Sequence, residues 1–162
     1  MLLPFHWRRM DRLMARDDFA FFDSLRVRWA EVDMQAIVFN GHYLTYFDVA
    51  FTEYWRATGL PNVLQQAADG RELFARKSSI DYLASARFDD LLCIGVRCAA
   101  IGRSSMRFVV EIYRGDGANA EHLISGEVLY VYADSAIRKA VPVPPAWRSR
   151  LVAFEKLAPE ST

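Results

Sequence analysis

The sequence predicts an α+β domain in which an antiparallel sheet of five to six strands wraps around one long helix. Three observations carry that expectation. One aromatic segment with helical periodicity stands alone near residue 50. Apolar runs with strand character flank it, one before and four after. Short turns separate the later runs, which is how antiparallel neighbours are joined. The chain has 162 residues, 52% hydrophobic and 14% aromatic. That is enough apolar material for one core and too short a chain for two ordinary domains.

Residues 20–29 form the first strand, because Leu25, Val27 and Trp29 alternate with Ser24, Arg26 and Arg28. Residues 41–58 form the helix. Leu44, Phe47, Phe51, Tyr54 and Trp55 fall on one face at helical spacing. Gly59 and Pro61 close it, with glycine where helices favour it just past their ends. Strands follow over 73–87, 91–101, 104–114 and 121–133. Asp89-Asp90, Gly102 and Gly115-Asp116-Gly117 supply the turns between them. After Pro142, Pro144 and Pro145, residues 146–157 form a short terminal helix.

The domain therefore spans 20–157, with an N-terminal extension over 1–19, expected as a short helix packing on its own protein, and a tail over 158–162. One sheet around one helix leaves edges and an outer face to cover. A second copy covers them at low cost, so a homodimer or homotetramer is expected.

Charge and cysteine content narrow the function. Twenty Lys and Arg balance twenty Asp and Glu, so no basic field speaks for nucleic acid. Arg8, Arg9, Arg12 and Arg16 give the N-terminus a faint likeness to a transit peptide, but Asp11, Asp17 and Asp18 count against it. No stretch reaches the ~20 apolar residues of a membrane helix. Cys93 and Cys98 lie in one strand an odd number of residues apart, so they point to opposite faces and cannot pair. Both are expected as buried thiols in a cytoplasmic, reducing setting.

The stretch from Val27 to Arg56 carries the chemistry. It places Glu31 and Asp33 in a loop before the aromatic helix, then Asn40, Gly41 and His42 at the helix start. A helix start exposes unpaired N–H groups at the positive end of a dipole. Such a place stabilises a carbonyl oxygen that is becoming negative. A nearby carboxylate can serve as general base or nucleophile on that carbonyl. The spacing alone fits plain capping and solvation as well, with Asn40 a good N-cap residue.

The same stretch resembles the signature of the 4-hydroxybenzoyl-CoA thioesterase family of hotdog-fold proteins. The matching residues are Glu31-Val32-Asp33, the loop Met34-Gln35-Ala36, the apolar Ile37-Val38-Phe39, and Asn40-Gly41-His42-Tyr43. The likeness continues through Arg56, Gly59-Leu60-Pro61 and Arg87-Phe88-Asp89-Asp90, and covers residues 22–150. It implies hydrolysis of an acyl-CoA to free acid and CoA, with no metal or bound cofactor.

By this resemblance Asp33 matches the catalytic acid. Asn40 matches the position whose backbone N–H polarises the thioester carbonyl, with Gly41 beside it. Arg103 and the adjoining Ser104 match a region that meets the CoA phosphates, although Ser104 and Ser105 stand where some members carry further charge. Met34-Gln35-Ala36 also departs from the family's usual loop. His42 is a candidate substrate contact, and Asp48 a candidate for facing the acyl pocket. Glu53 draws notice because related hotdog thioesterases use a helical Glu; with Asp33 present it is expected as a hydrogen-bonding or interface group. His6 and His122 stand isolated. Two other functions fit the fold: a non-catalytic acyl-CoA-binding module, and a dehydratase, which would want a His and an acid across a dimer interface.

Overall fold

The computed structural model describes residues 15–162. The helix expected near the N-terminus falls mainly outside these residues; within them, Arg16–Asp18 forms a 3-10 turn. The elements that follow are β1 (Phe21–Arg26), α1 (His42–Thr58), α2 (Val63–Ala68), β2 (Arg71–Tyr82), β3 (Leu91–Ile101), β4 (Ser105–Arg114), β5 (Glu121–Asp134), β6 (Lys139–Ala140), α3 (Pro145–Phe154) and β7 (Glu160–Ser161).

The main strands pair in the order β1-β3-β4-β5-β2, with antiparallel neighbours throughout. The β3–β4–β5 meander follows from tight turns at Gly102 and Gly115-Asp116-Gly117, where Gly115 and Gly117 take the positive φ that a side chain resists. β2 reaches the far edge by crossing over to pair with β5. Two short strands extend the sheet: β6 on β5, and β7 parallel to β3.

The sheet curls around α1, the hotdog arrangement that the resemblance implies. Tyr46, Phe47, Ala50 and Tyr54 from the helix pack with Ile94, Val96, Phe108, Val110 and Ile112. Gly126, central in β5, makes this approach possible. A Cβ there would lie 2.5 Å from the Phe47 ring, so only glycine lets the helix sit so near the sheet. Gly59 ends α1 with φ 71°, the left-handed cap its sequence position suggests.

Four expectations need correction. The strand expected over 20–29 covers only Phe21–Arg26, and Trp29, expected on its apolar face, is exposed in a 3-10 turn. Leu44 is exposed, and the buried stripe of α1 runs through Tyr43, Tyr46, Phe47, Ala50, Tyr54 and Trp55 instead. The strand expected over 73–87 ends at Tyr82, because the Leu83 and Ala84 amides both turn to the Leu123 carbonyl. Residues 158–162 include β7, which extends the sheet. The cysteines behave as expected. Both are buried and free; Cys98 packs in the core beneath α1, while Cys93 meets Arg16 on the opposite face. No described helix is long and apolar enough to cross a membrane.

Candidate active site

The two loop acids before α1 have different fates. Glu31 is buried. Its Oε2 accepts from the Arg28 amide at 2.8 Å and from the Tyr46 hydroxyl at 2.7 Å, and its Oε1 meets the Arg28 guanidinium. Burial alone would raise its pKa, but the bonds from Arg28 and Tyr46 outweigh this and hold it below the usual value. Glu31 thus fastens the loop to the helix.

Asp33 stands at the head of a tight loop. Its amide donates to the Ile37 carbonyl and its carbonyl accepts from Ala36, both at 2.9 Å. Its Oδ1 accepts from the Gln35 amide at 2.7 Å. Oδ2 has no protein donor among the described residues. The loop closes through Ala36, held at φ 60°, a conformation that costs a non-glycine residue roughly 1–2 kcal/mol. Val32 and Val38 form a bridge across its base.

The chain then turns into α1. The His42 amide donates to the Phe39 carbonyl at 2.9 Å, and the Tyr43 amide to Asn40 at 3.4 Å. The amides of Asn40 and Gly41 donate to no protein acceptor among the described residues. Gly41, rather than Asn40, occupies the N-cap position, and no side chain caps the helix. The capping by Asn40 that the spacing alone also allowed is therefore absent, and these two amides have no protein acceptor among the described residues.

A cavity of about 340 Å³ opens here, lined by Asp33, Val38, Phe39, Asn40, Tyr43 and Tyr82 among others. Tyr43 is buried, and its hydroxyl accepts from the Ala86 amide at 3.1 Å. Its ring meets Tyr82 edge-on. The cavity thus brings together Asp33, whose Oδ2 has no protein donor among the described residues, Asn40 at the approach to α1, and aromatic walls.

The remaining sequence-derived residues lie elsewhere. Gly41 adjoins the cavity through Phe39: a Cβ on it would come 2.9 Å from Phe39 Cε1. His42 stacks edge-on against Phe39. Asp48 is exposed on α1, and partial burial raises its pKa. Glu53 pairs with Arg56. Arg103 and Ser104 sit in the β3–β4 turn, where their carbonyls accept from Val143 and Tyr132. That turn closes the end of β3 opposite to Leu91, whose neighbour Asp90 accepts from the Val27 amide on the segment leading to the Asp33 loop. Among the described residues no three His, Cys, Asp or Glu side chains gather as metal ligands would.

The family model described as "Thioesterase superfamily" matches residues 35–121. The chain belongs to the thioesterase superfamily. At the level of the family its activity is thioester hydrolysis. The match begins two residues after Asp33 and covers the helix start, α1 and the strands β2, β3 and β4. Among curated proteins the chain is similar to the acyl-CoA thioester hydrolase YbgC of Escherichia coli O6:H1, 29% identical over 124 residues, covering 74% of this chain and 87% of that one. Among solved structures it is similar to a thioesterase from Thermus thermophilus complexed with coenzyme A and Zn. That likeness has a TM-score of 0.74 and 26% identity over 87% of this chain and 98% of the other. A mutant 4-hydroxybenzoyl CoA thioesterase complexed with 4-hydroxybenzoyl CoA superposes with TM-score 0.75 at 19% identity, covering 81% and 97%.

Proposed function

We propose that the protein hydrolyses acyl-CoA thioesters to a free carboxylic acid and CoA, with Asp33 as the reacting carboxylate. The supporting observation is that one cavity joins a loop acid with a free oxygen to a helix start whose amides lack acceptors. In this reading the thioester carbonyl oxygen accepts from the Asn40 and Gly41 amides, which stabilise the charge it develops. Asp33 Oδ2 lies on the open side of the carbonyl. It either takes a proton from an attacking water or attacks the carbonyl itself to form an anhydride that water resolves. In both routes the C–S bond breaks and CoA leaves as a thiolate that is then protonated.

The working unit in this proposal is a homodimer or a pair of dimers. β2 lies at the sheet edge with Phe74 exposed on it, a surface a second copy can pair with. Arg103 and Ser104 lie at the opposite end of β3, so in this proposal they meet the CoA tail from a second copy.

Thiol release from a panel of short, long and aromatic acyl-CoAs tests the reading. Hydrolysis of one class by wild type, with a loss of about 10²-fold or more in Asp33→Asn, is expected. Tight binding of acyl-CoA with no hydrolysis across the panel would instead establish a binding module. A single turnover in ¹⁸O-water reveals an anhydride that water opens at its Asp33 carbonyl: label in the Asp33 side chain marks that route.

A further inference from the structure

Tyr46 lies one turn into α1. It is buried, and its ring meets Tyr43 edge-on with centres 5.8 Å apart. Tyr43 lines the Asp33 cavity. The Tyr46 hydroxyl donates across to Glu31. Among the described residues no other hydrogen bond joins residues 28–37 to α1.

Glu31 reaches both halves of the site. Its carbonyl accepts from the Phe39 amide at 2.9 Å, one residue before Asn40. Two residues after Glu31, the Asp33 loop closes on itself through the bond from the Asp33 amide to Ile37 and the Val32–Val38 bridge. Those bonds hold the shape of the loop. The bond that ties it to α1 is the one between Tyr46 and Glu31.

A carboxylate suits this task where an amide does not. Glu31 Oε1 accepts from the Arg28 guanidinium, and Oε2 from the Arg28 amide and the Tyr46 hydroxyl. Donors face both oxygens, so the NH2 group of a Gln would meet a donor on one side. A Phe in place of Tyr46 would keep the ring and leave the carboxylate without its tie to the helix.

We propose that Tyr46 and Glu31 are positioning residues for the thioester chemistry, a role that rests on Asp33 as the reacting carboxylate. Their bond sets the distance between that carboxylate and the helix-start amides. Neither residue lines the cavity, so each acts through the placement of Asp33. A misplacement of about 1 Å can cost about 100-fold in rate. The walls formed by Phe39, Tyr43 and Tyr82 keep their side chains in such variants, so the loss falls on kcat and not on KM.

Thiol release from butyryl-CoA, palmitoyl-CoA and benzoyl-CoA tests this, with circular dichroism and urea titration to show that each variant is folded. Tyr46→Phe should lower kcat about tenfold and change KM by less than about twofold. Glu31→Gln should act in the same direction. In an Asp33→Asn background, Tyr46→Phe should lower the residual turnover by less than about twofold, since no carboxylate remains to be placed. A purely structural role would lower turnover equally in both backgrounds. Should Tyr46→Phe fail to fold, Glu31→Gln, alone and with Asp33→Asn, carries the same comparison. Unchanged kcat in either folded single variant, or an equal loss in both backgrounds, overturns the positioning role and leaves Asp33 in place. Full activity in Asp33→Asn, or no hydrolysis by wild type, overturns the role of Asp33 and the positioning role with it.

Discussion

The Tyr46 hydroxyl donates to Glu31 Oε2 at 2.7 Å beneath the start of α1. One of the two loop acids is thereby committed to structure, while Asp33, two residues on, keeps a free oxygen at the cavity. The local fold separates two carboxylates of similar sequence context into an anchor and the group proposed to react.

The anchor sets a pH dependence. The folded pKa of Glu31 lies below its ordinary value. Its contribution to stability is therefore full above the ordinary carboxylate range and is lost as pH falls through the folded pKa. Urea denaturation from pH 7 down to pH 3 should show a larger acid loss for wild type than for Glu31→Gln. Tyr46→Phe should cost about 1–3 kcal/mol at neutral pH, since it withdraws a buried donor from a charged acceptor.

Asp33→Asn should fold like wild type, because the amide can still accept from the Gln35 N–H. Its melting temperature should stay close to that of wild type while turnover drops about 10²-fold or more. Full activity in this variant would remove Asp33 from the chemistry and return attention to Glu53.

Gly41→Val should cut turnover with little loss of secondary structure. The added side chain starts 2.9 Å from Phe39 Cε1, so the Phe39 ring must move, and Phe39 lines the cavity. Gly41→Ala should act in the same direction but less. Steady-state kinetics on both, beside circular dichroism, check the order.

Ala36→Gly should leave stability unchanged or raise it by up to about 1 kcal/mol. Glycine removes the left-handed strain at φ 60° but loosens the unfolded chain by about 0.5–1 kcal/mol. A melting temperature several degrees lower would show that the Ala36 methyl packs usefully.

Light scattering on the purified protein should give at least twice the 18.6 kDa chain mass. Phe74→Lys should shift the protein towards monomer, since it places a charge on the exposed edge strand.

Much of this architecture was legible in the sequence. β3 runs over 91–101 as expected, because its turn residues and continuous apolar run leave little choice of ends. The helix bounds were legible for the same reason, but its buried face was not. Tyr43 and Tyr46 carry hydroxyls that find Ala86 and Glu31 only in the folded chain, so they were not counted with the apolar stripe. α2 is only a short helix, yet a signal existed: Asn62 and Gln65 form a reciprocal cap. β6 and β7 are two-residue pairings that no periodicity can mark. His122 looked isolated because strand register and a bulge, rather than sequence spacing, bring it to Glu111 and Tyr113. Asp33, Asn40 and Gly41 were visible as a motif; the free amides and the free carboxylate oxygen required coordinates.

β3 accepts β1 along Leu91–Val96 and β7 at Ala100–Ile101. The first and last strands thus lie end to end along one neighbour, while the Gly115–Gly117 hairpin is exposed at another corner. The chain can in topological terms be closed into a ring and reopened at that hairpin with every strand pairing kept. A circular permutant that links β7 to β1 and begins at Asp116 would make these two strands consecutive in the chain, both laid along β3.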